Sequence, residues 1–394
     1  MLAHKHMRIS TTAASKPLQG TPTRNVWHLM VSRPAEVGTK PRNVKIAISR
    51  KEVMESRRYR RTVADPEWWS EYLTEDRFLK NIGSLFNSRI IRHLYGPLTS
   101  VALTATIVCV YETLRSEGVL PPEFPSICMP NQTPLNLTGF AVSLLLVFRT
   151  NQSYDRWWEA RKVWGTILNR VRDITTQAAV FIPEDEPRLR EGIRNWAIAF
   201  TRTLEAHLQG KLVERDLKSN LENTLSPYEL DMVMNSQHKV VKCCSVLAEL
   251  ALQAPINSIE RQMLQHNVQV FYDTLGMCER IMRTPLPLTY TRHSSRFLFV
   301  YINALPFAMY SAFGWGCIPI TIMISALLLG IDEIGVQIEE PFGVLPLDAI
   351  CTRAEIDMRS IIKEQPDLAE YVRGLRSGSA ATARTVPAEV AEVR

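Results

Sequence analysis

The chain has 394 residues, 46% of them apolar, and a formal charge of +6, enough apolar matter for a large core. Met1–Arg50 holds nine Lys or Arg against one acid, Glu36, a net of +8 that leaves about −2 for everything after it. The basicity is therefore amino-terminal, which argues against a nucleic-acid surface elsewhere. None of the seven cysteines forms a C-x-x-C pair, and no zinc spacing is present. Cys243 and Cys244 are neighbours in a helical segment and read as small core residues.

Met1–Arg50 is rich in Arg, Ser and Thr, poor in acid, and has no long apolar run. That composition fits an organelle transit peptide rather than a secretory signal; a disordered basic tail is the alternative. Arg57–Arg92 mixes charges with Trp68, Trp69, Tyr72, Phe78 and Phe86 and reads as helical. Leu94–Tyr111 then offers eighteen uncharged residues, about the minimum for a membrane span. Arg77, Lys80, Arg89 and Arg92 precede it, and the Pro-rich loop Glu112–Pro134 carries three Glu and one Arg. The charge asymmetry places the basic flank on the cytoplasmic-equivalent side.

Leu135–Gly165 has no interior Pro and one interior Gly before its end, so it predicts one helix of roughly 45 Å. Its first fourteen residues are uncharged and its remainder is polar and aromatic. By length alone the apolar part suits either a buried core helix or part of a span. Thr166–Arg283 is amphipathic throughout. It predicts helices at Thr166–Ile182, Arg188–Gln209, Pro227–Asn235, Lys239–Gln253 and Ser258–Arg283, with Val240, Cys243, Leu247 and Leu250 as one apolar stripe. No strand pattern stands out. Phe297–Ile331 is uncharged over thirty-five residues; as one helix it would be about 52 Å long, too much for a single crossing. Gly314, Gly316 and Pro319 supply a turn between Phe297–Phe313 and Ile318–Ile331. Beyond Gly343 the chain is polar, and Arg373–Arg394 reads as disordered.

Phe140, Leu144 and Phe148 recur every four residues and form one apolar stripe, able to pack against neighbours or to line a pore. Ala254-Pro255-Ile256-Asn257 precedes a helix start at Ser258, a place where free N–H groups can offer positive potential to an anion. His207, His238 and His266 have no metal or triad spacing with acids, and no Gly-rich phosphate loop occurs, so the chain does not read as an enzyme.

FRTNQSYDRWWEARKVWG, from Phe148 to Gly165, resembles the signature of the bestrophin family of anion channels in its plant, algal and bacterial branch. RRYRRTVADPEWWSEYLTEDRFLKNI (57–82), TPLPLTYTRH (284–293) and GIDEIGVQIEEPFG (330–343) are similar to further family blocks in the family's order. The resemblance implies an all-α integral membrane protein with four transmembrane helices (about 94–113, 135–156, 287–313 and 318–334) and a helical stromal domain at 166–283. The channel body is 51–343, after a plastid transit peptide at 1–50 and before a stromal tail at 344–394.

It further implies a homopentamer in which Phe140, Leu144 and Phe148 form the pore neck and Ile256 a second constriction, the aperture; an ordinary helix cap is the other reading of that step. Asn151, Tyr154, Asp155, Arg156 and Trp157 are its structural signature, read as Trp packing and Arg–Asp pairing. The function implied is passive conduction of chloride across the thylakoid membrane, balancing charge during proton pumping, with both termini in the stroma. A bicarbonate channel feeding carbon to the lumen and a non-conducting scaffold are the alternatives. Partners are lipids and further copies of the chain. No cofactor is implied: Pro341-Phe342-Gly343 is followed by Val344-Leu345-Pro346-Leu347, with only Asp348 nearby, so the acidic calcium clasp of animal members has no counterpart. No helix carries arginine at every third position, so voltage dependence would need another source.

Overall fold

The computed structural model describes residues 64, 66–74, 83 and 89–377. Among them are helices and turns and no strand. In chain order the helices are α1 (Pro66–Tyr72), α2 (Arg89–Ser116), α3 (Thr133–Phe181), α4 (Pro187–Gln209), α5 (Lys211–Glu222), α6 (Pro227–Met234), α7 (Lys239–Gln253), α8 (Ser258–Arg283), α9 (Leu288–Phe313), α10 (Cys317–Glu339), α11 (Pro341–Val344) and α12 (Leu347–Ser377). The Met1–Arg50 segment and most of the Arg57–Arg92 block lie outside the described residues.

Helix α3 organises the rest. It has 49 residues, with no break at Gly165 where the sequence pattern placed its end. A helix of that length runs roughly 73 Å. Gly165 sits inside it with only the Arg161 side chain nearby, so the glycine lowers propensity without supplying a stop. The amino-terminal half of α3 packs with α9 and α10, on which α2 also packs; its carboxyl-terminal half packs with α4, α8 and α12.

The first bundle is the membrane-like one. His93–Ser116, Thr133–Phe181 and Leu288–Glu339 are long and apolar enough to cross a membrane. The last stretch, of 52 residues, is α9 and α10 folded against each other. Between them Gly314–Gly316 forms a 3-10 turn, and Gly314 takes φ +52°, a left-handed conformation that suits glycine. Leu94, Val101, Val142, Leu146, Leu298, Ile302, Leu305 and Leu329 form a small shared core. Helix α2 continues to Ser116, so Glu112 belongs to the helix and not to the loop after it. Its buried carboxylate accepts hydrogen bonds from Ser126 Oγ (2.9 Å) and the backbone N–H groups of Ile127 (2.7 Å) and Cys128 (3.2 Å), which fastens the loop to the helix.

The second bundle has a continuous core from α3 to α8, α11 and α12, including Trp164, Phe200, Phe271 and Phe342. Phe200 stacks on Phe271 with ring centroids 4.5 Å apart. Burial pushes the thiols of Cys243 and Cys278 up to about 12, so they act as small apolar residues. Helices α5 and α12 did not stand out in the sequence. The latter runs through Pro366 to Ser377, so the start of the expected disordered tail, Arg373–Ser377, is helical.

Candidate functional site: an apolar stripe and the clamp below it

One side of α3 in the membrane-like bundle is buried through Val142, Leu146, Arg149 and Ser153. The other side is open. Phe140, Leu144 and Phe148 are 72%, 43% and 52% exposed and sit on that open side with Leu137 and Val147. The structure thus places the three predicted neck residues together on the uncovered side of α3, beside Ala141 and Ser143, which are also exposed. Asn151, Tyr154, Asp155 and Trp158 continue the exposed side beyond Phe148.

Close helix packing holds the stripe in place. Gly139 lies under the Tyr301 ring of α9: a Cβ added there would stand 2.5 Å from the Tyr301 hydroxyl. The Tyr290 hydroxyl donates to the Leu145 carbonyl at 3.2 Å. Behind the stripe, Arg149 is 4% exposed, forms an ion pair with Asp332 of α10, and donates to Ser295 Oγ of α9 at 3.1 Å. These partners are 183 and 146 residues away, so no local pattern announces them. A buried arginine needs such company, because an unpaired charge there is costly.

The signature residues meet where the two bundles join. Arg156 does not pair with Asp155, as the sequence pattern implied; Asp155 is exposed. Instead its guanidinium donates to three carbonyls: Ile281 O at 2.7 Å, Thr284 O, and Glu339 O at 3.1 Å. All three lie at the carboxyl ends of α8 and α10, where helices leave carbonyls unpaired and carry partial negative charge. The Glu339 carboxylate accepts the Leu286 N–H at 3.2 Å. One arginine of α3 therefore fixes the end of the soluble helix α8, the connector 284–287 and the end of α10. Trp157 packs on the soluble core and stacks with Trp158, centroids 6.2 Å apart. The expected Trp packing is seen; the Arg–Asp pairing is replaced by the carbonyl clamp.

Ile256 is half-buried and packs against the soluble core. Arg261 Nη2 donates to the carbonyls of Ala254 and Ile256, both at 3.1 Å. Asn257 caps α8: its Oδ1 accepts the N–H groups of Ile259 and Glu260 at 2.9 Å, and the Glu260 carboxylate accepts from Asn257 N at 3.1 Å. This capping box takes up N–H groups that the sequence argument left free for an anion. The cap is made by Asn257 and Glu260 and does not use the Ile256 side chain.

The structure also corrects the reading of the histidines. His207 and His238 both reach Glu279 Oε1, at 2.9 and 3.2 Å, and His266 is exposed and apart from them. Burial pushes the Glu279 carboxyl up, but the hydrogen bonds of His238 and His207 and the charge of Arg283 outweigh it and hold it below the ordinary carboxylate value. Phe342 of Pro-Phe-Gly and the residues Leu345 and Leu347 after it are buried in the core, and Asp348 pairs with Arg202 at 3.1 Å.

A long helix that begins in an apolar bundle, ends in a soluble one and leaves an apolar stripe uncovered defines a helical channel-type membrane protein. Residues 73–360 match the family described as Bacterial/Fungal Bestrophin protein, and the chain belongs to the bestrophin family, whose members are channels and not enzymes. It is 29% identical over 308 residues, 78% of this chain and 74% of the relative, to voltage-dependent chloride channel 1, chloroplastic, of Arabidopsis thaliana. It is 32% identical over 296 residues, 72% and 92% of the two chains, to a voltage-dependent anion channel-forming protein of Nostoc sp.. The fold is similar to the crystal structure of a bacterial bestrophin homolog from Klebsiella pneumoniae, with TM-score 0.61 and 22% identity over 68% of this chain and 98% of that one.

Proposed function

We propose that this chain is a passive anion channel of a chloroplast membrane, the thylakoid, conducting chloride and balancing charge during proton pumping. The observation that carries the reading is that Phe140, Leu144 and Phe148 lie together on the uncovered side of α3, opposite its buried Val142, Leu146 and Arg149. Copies of α3 set around an axis would bury that stripe as an apolar ring, which gates by dewetting and disfavours strongly hydrated ions. A homopentamer serves that geometry, with four crossings by α2, the first half of α3, α9 and α10 and both termini in the stroma. The likeness to a chloroplastic chloride channel supports the ion and the organelle. Ile256 is proposed as the second constriction, and conduction is proposed to be independent of calcium.

Purified protein in a planar bilayer tests this. Unitary anion currents whose reversal follows the chloride gradient, unchanged by a calcium chelator, are the expected result. Reversal that follows bicarbonate instead moves the function to carbon supply. Silence from a folded pentamer leaves a non-conducting scaffold.

A further inference from the structure

Three helices of the soluble bundle meet at a cluster that includes none of the proposed neck or aperture residues. His207 lies in the last turn of α4, His238 caps the start of α7, and Glu279 lies near the end of α8. One ligand atom from each lies within 4.8 Å of the other two. The His207 and His238 Nε2 atoms stand 2.9 and 3.2 Å from the same oxygen, Glu279 Oε1. Ligands on a tetrahedral zinc ion at ~2.0–2.1 Å are about 3.3 Å apart, so two of the three edges already have nearly that length. All three side chains are half-buried. Next to the imidazoles is a cavity of about 210 Å³, lined also by Thr203, Gly210, Leu217 and Gln237.

Two imidazoles converging on one carboxylate oxygen can be a plain hydrogen-bond knot, with both rings donating. The same convergence lets a divalent cation replace the two protons. We propose that His207, His238 and Glu279 form a binding site for a zinc-type divalent cation, with the open fourth position on the adjoining cavity. Imidazole with carboxylate suits zinc and its first-row neighbours, whereas calcium and magnesium take oxygen donors. Three protein ligands and one open position is the arrangement of zinc sites that hold a water or a small anion.

Two local features bear on affinity. His238 Nδ1 accepts the Val241 N–H at 3.4 Å. A metal on Nε2 requires a proton on Nδ1, so this long contact is given up, while Lys242 N–H keeps its bond to the His238 carbonyl at 3.0 Å. Arg283 Nη2 stands 3.4 Å from Glu279 Oε1 and competes with a cation; its side chain is 67% exposed and free to swing out. An ion here would tie α4, α7 and α8 together two residues before Ile281, whose carbonyl Arg156 holds.

The test is isothermal titration of the full-length, chelator-stripped protein in detergent with zinc chloride, with X-ray absorption on the loaded protein. One saturable site per chain is expected, with nitrogen and oxygen ligands and no sulfur. His207→Gln and Glu279→Gln should each weaken it at least tenfold, while Arg283→Gln should leave it equal or tighter. Calcium chloride should give no saturable heat. His238→Gln replaces Glu279→Gln should the latter fail to fold. A wild-type chain without a saturable site, sulfur ligation, or zinc that binds His207→Gln as tightly as wild type would each overturn the proposal. The readout is binding, so it stands or falls separately from conduction.

Discussion

The two halves of this molecule bury apolar surface in different amounts and are held by different forces. The soluble bundle has a continuous core in which Trp164, Ile167, Phe200, Phe271 and Phe342 are fully buried. The membrane-like bundle shares only a small core and leaves Leu103, Ile107, Phe140, Val300, Met323 and Leu327 exposed. In water the second half would be poorly made. In lipid it is ordinary, because hydrocarbon is as apolar as leucine and hydrophobic burial gives little drive between helices. Close packing and internal polar pairs take over there. Val101, Ala105 and Cys109 of α2 are completely covered. Ser100 and Thr104 Oγ donate to Asn303 Oδ1 at 3.2 and 3.1 Å, Thr113 and Tyr310 hydroxyls meet at 3.2 Å, and Arg149 pairs with Asp332. Exposed apolar surface therefore means opposite things in the two halves, and substitutions can expose the difference.

The largest expected effect is in the sparse half. Arg149→Ala leaves the half-buried Asp332 without its partner and should cost about 3–5 kcal/mol, read as a lowered melting temperature in detergent. Arg149→Met with Asp332→Leu should recover most of the loss; failure to recover would give the pair a role beyond charge compensation. In the soluble half, Phe271→Ala should cost about 3–5 kcal/mol through a cavity beside Phe200, read as earlier unfolding of the soluble bundle. At the junction, Arg156→Gln removes charge-assisted bonds worth about 1.5–3 kcal/mol each in general, and earlier proteolysis within 281–287 should report it; an unaltered cleavage pattern would remove the clamp from the account.

A smaller loss, about 0.6 kcal/mol, is expected for Asn303→Ala, in line with helix–helix hydrogen bonds in membranes and measurable by thermal unfolding in lipid nanodiscs. The smallest effect on protomer stability is expected for Phe140→Ala and Phe148→Ala, because both side chains are more than half exposed within the chain. Yet these two should raise the open fraction in bilayer recordings. Unaltered currents in both single variants and the double would place the stripe in packing instead.

How much of this the sequence discloses follows the range of each signal. Helices α7 and α8 begin and end where their caps and apolar spacing put them: Lys239–Gln253 and Ser258–Arg283 match the expected bounds. The turn at Gly314–Gly316 was legible because thirty-five uncharged residues exceed one crossing and glycine offers the left-handed step. Local signals failed where context overrode them. Gly165 reads as a stop, but packing of Trp164 and Ile167 on either side keeps α3 helical. The long polar α12 is amphipathic against α3 and α4 and has no strong apolar run. The candidate site divides in the same way. Phe140, Leu144 and Phe148 share a helical spacing and were visible. Arg149 with Asp332, Arg156 with three carbonyls, and the histidines with Glu279 join residues far apart in sequence, and no single-chain pattern encodes such pairs.

The carbonyl clamp gives α3 the mechanics of a lever. Arg156 lies 16 residues from Phe140 and 25 from Phe181, about 24 and 37 Å along a rigid helix. If the clamp is the fulcrum, the longer arm is in the soluble bundle and the shorter one carries the stripe. A tilt of roughly 5° about that point moves Phe140 by about 2 Å, more than the radius of a water molecule. Shifts of a few ångströms where α3 meets α4 and α12 are thus enough, by geometry alone, to displace the Phe140 end of the stripe, some 60 Å away, about the distance between the two arms' ends.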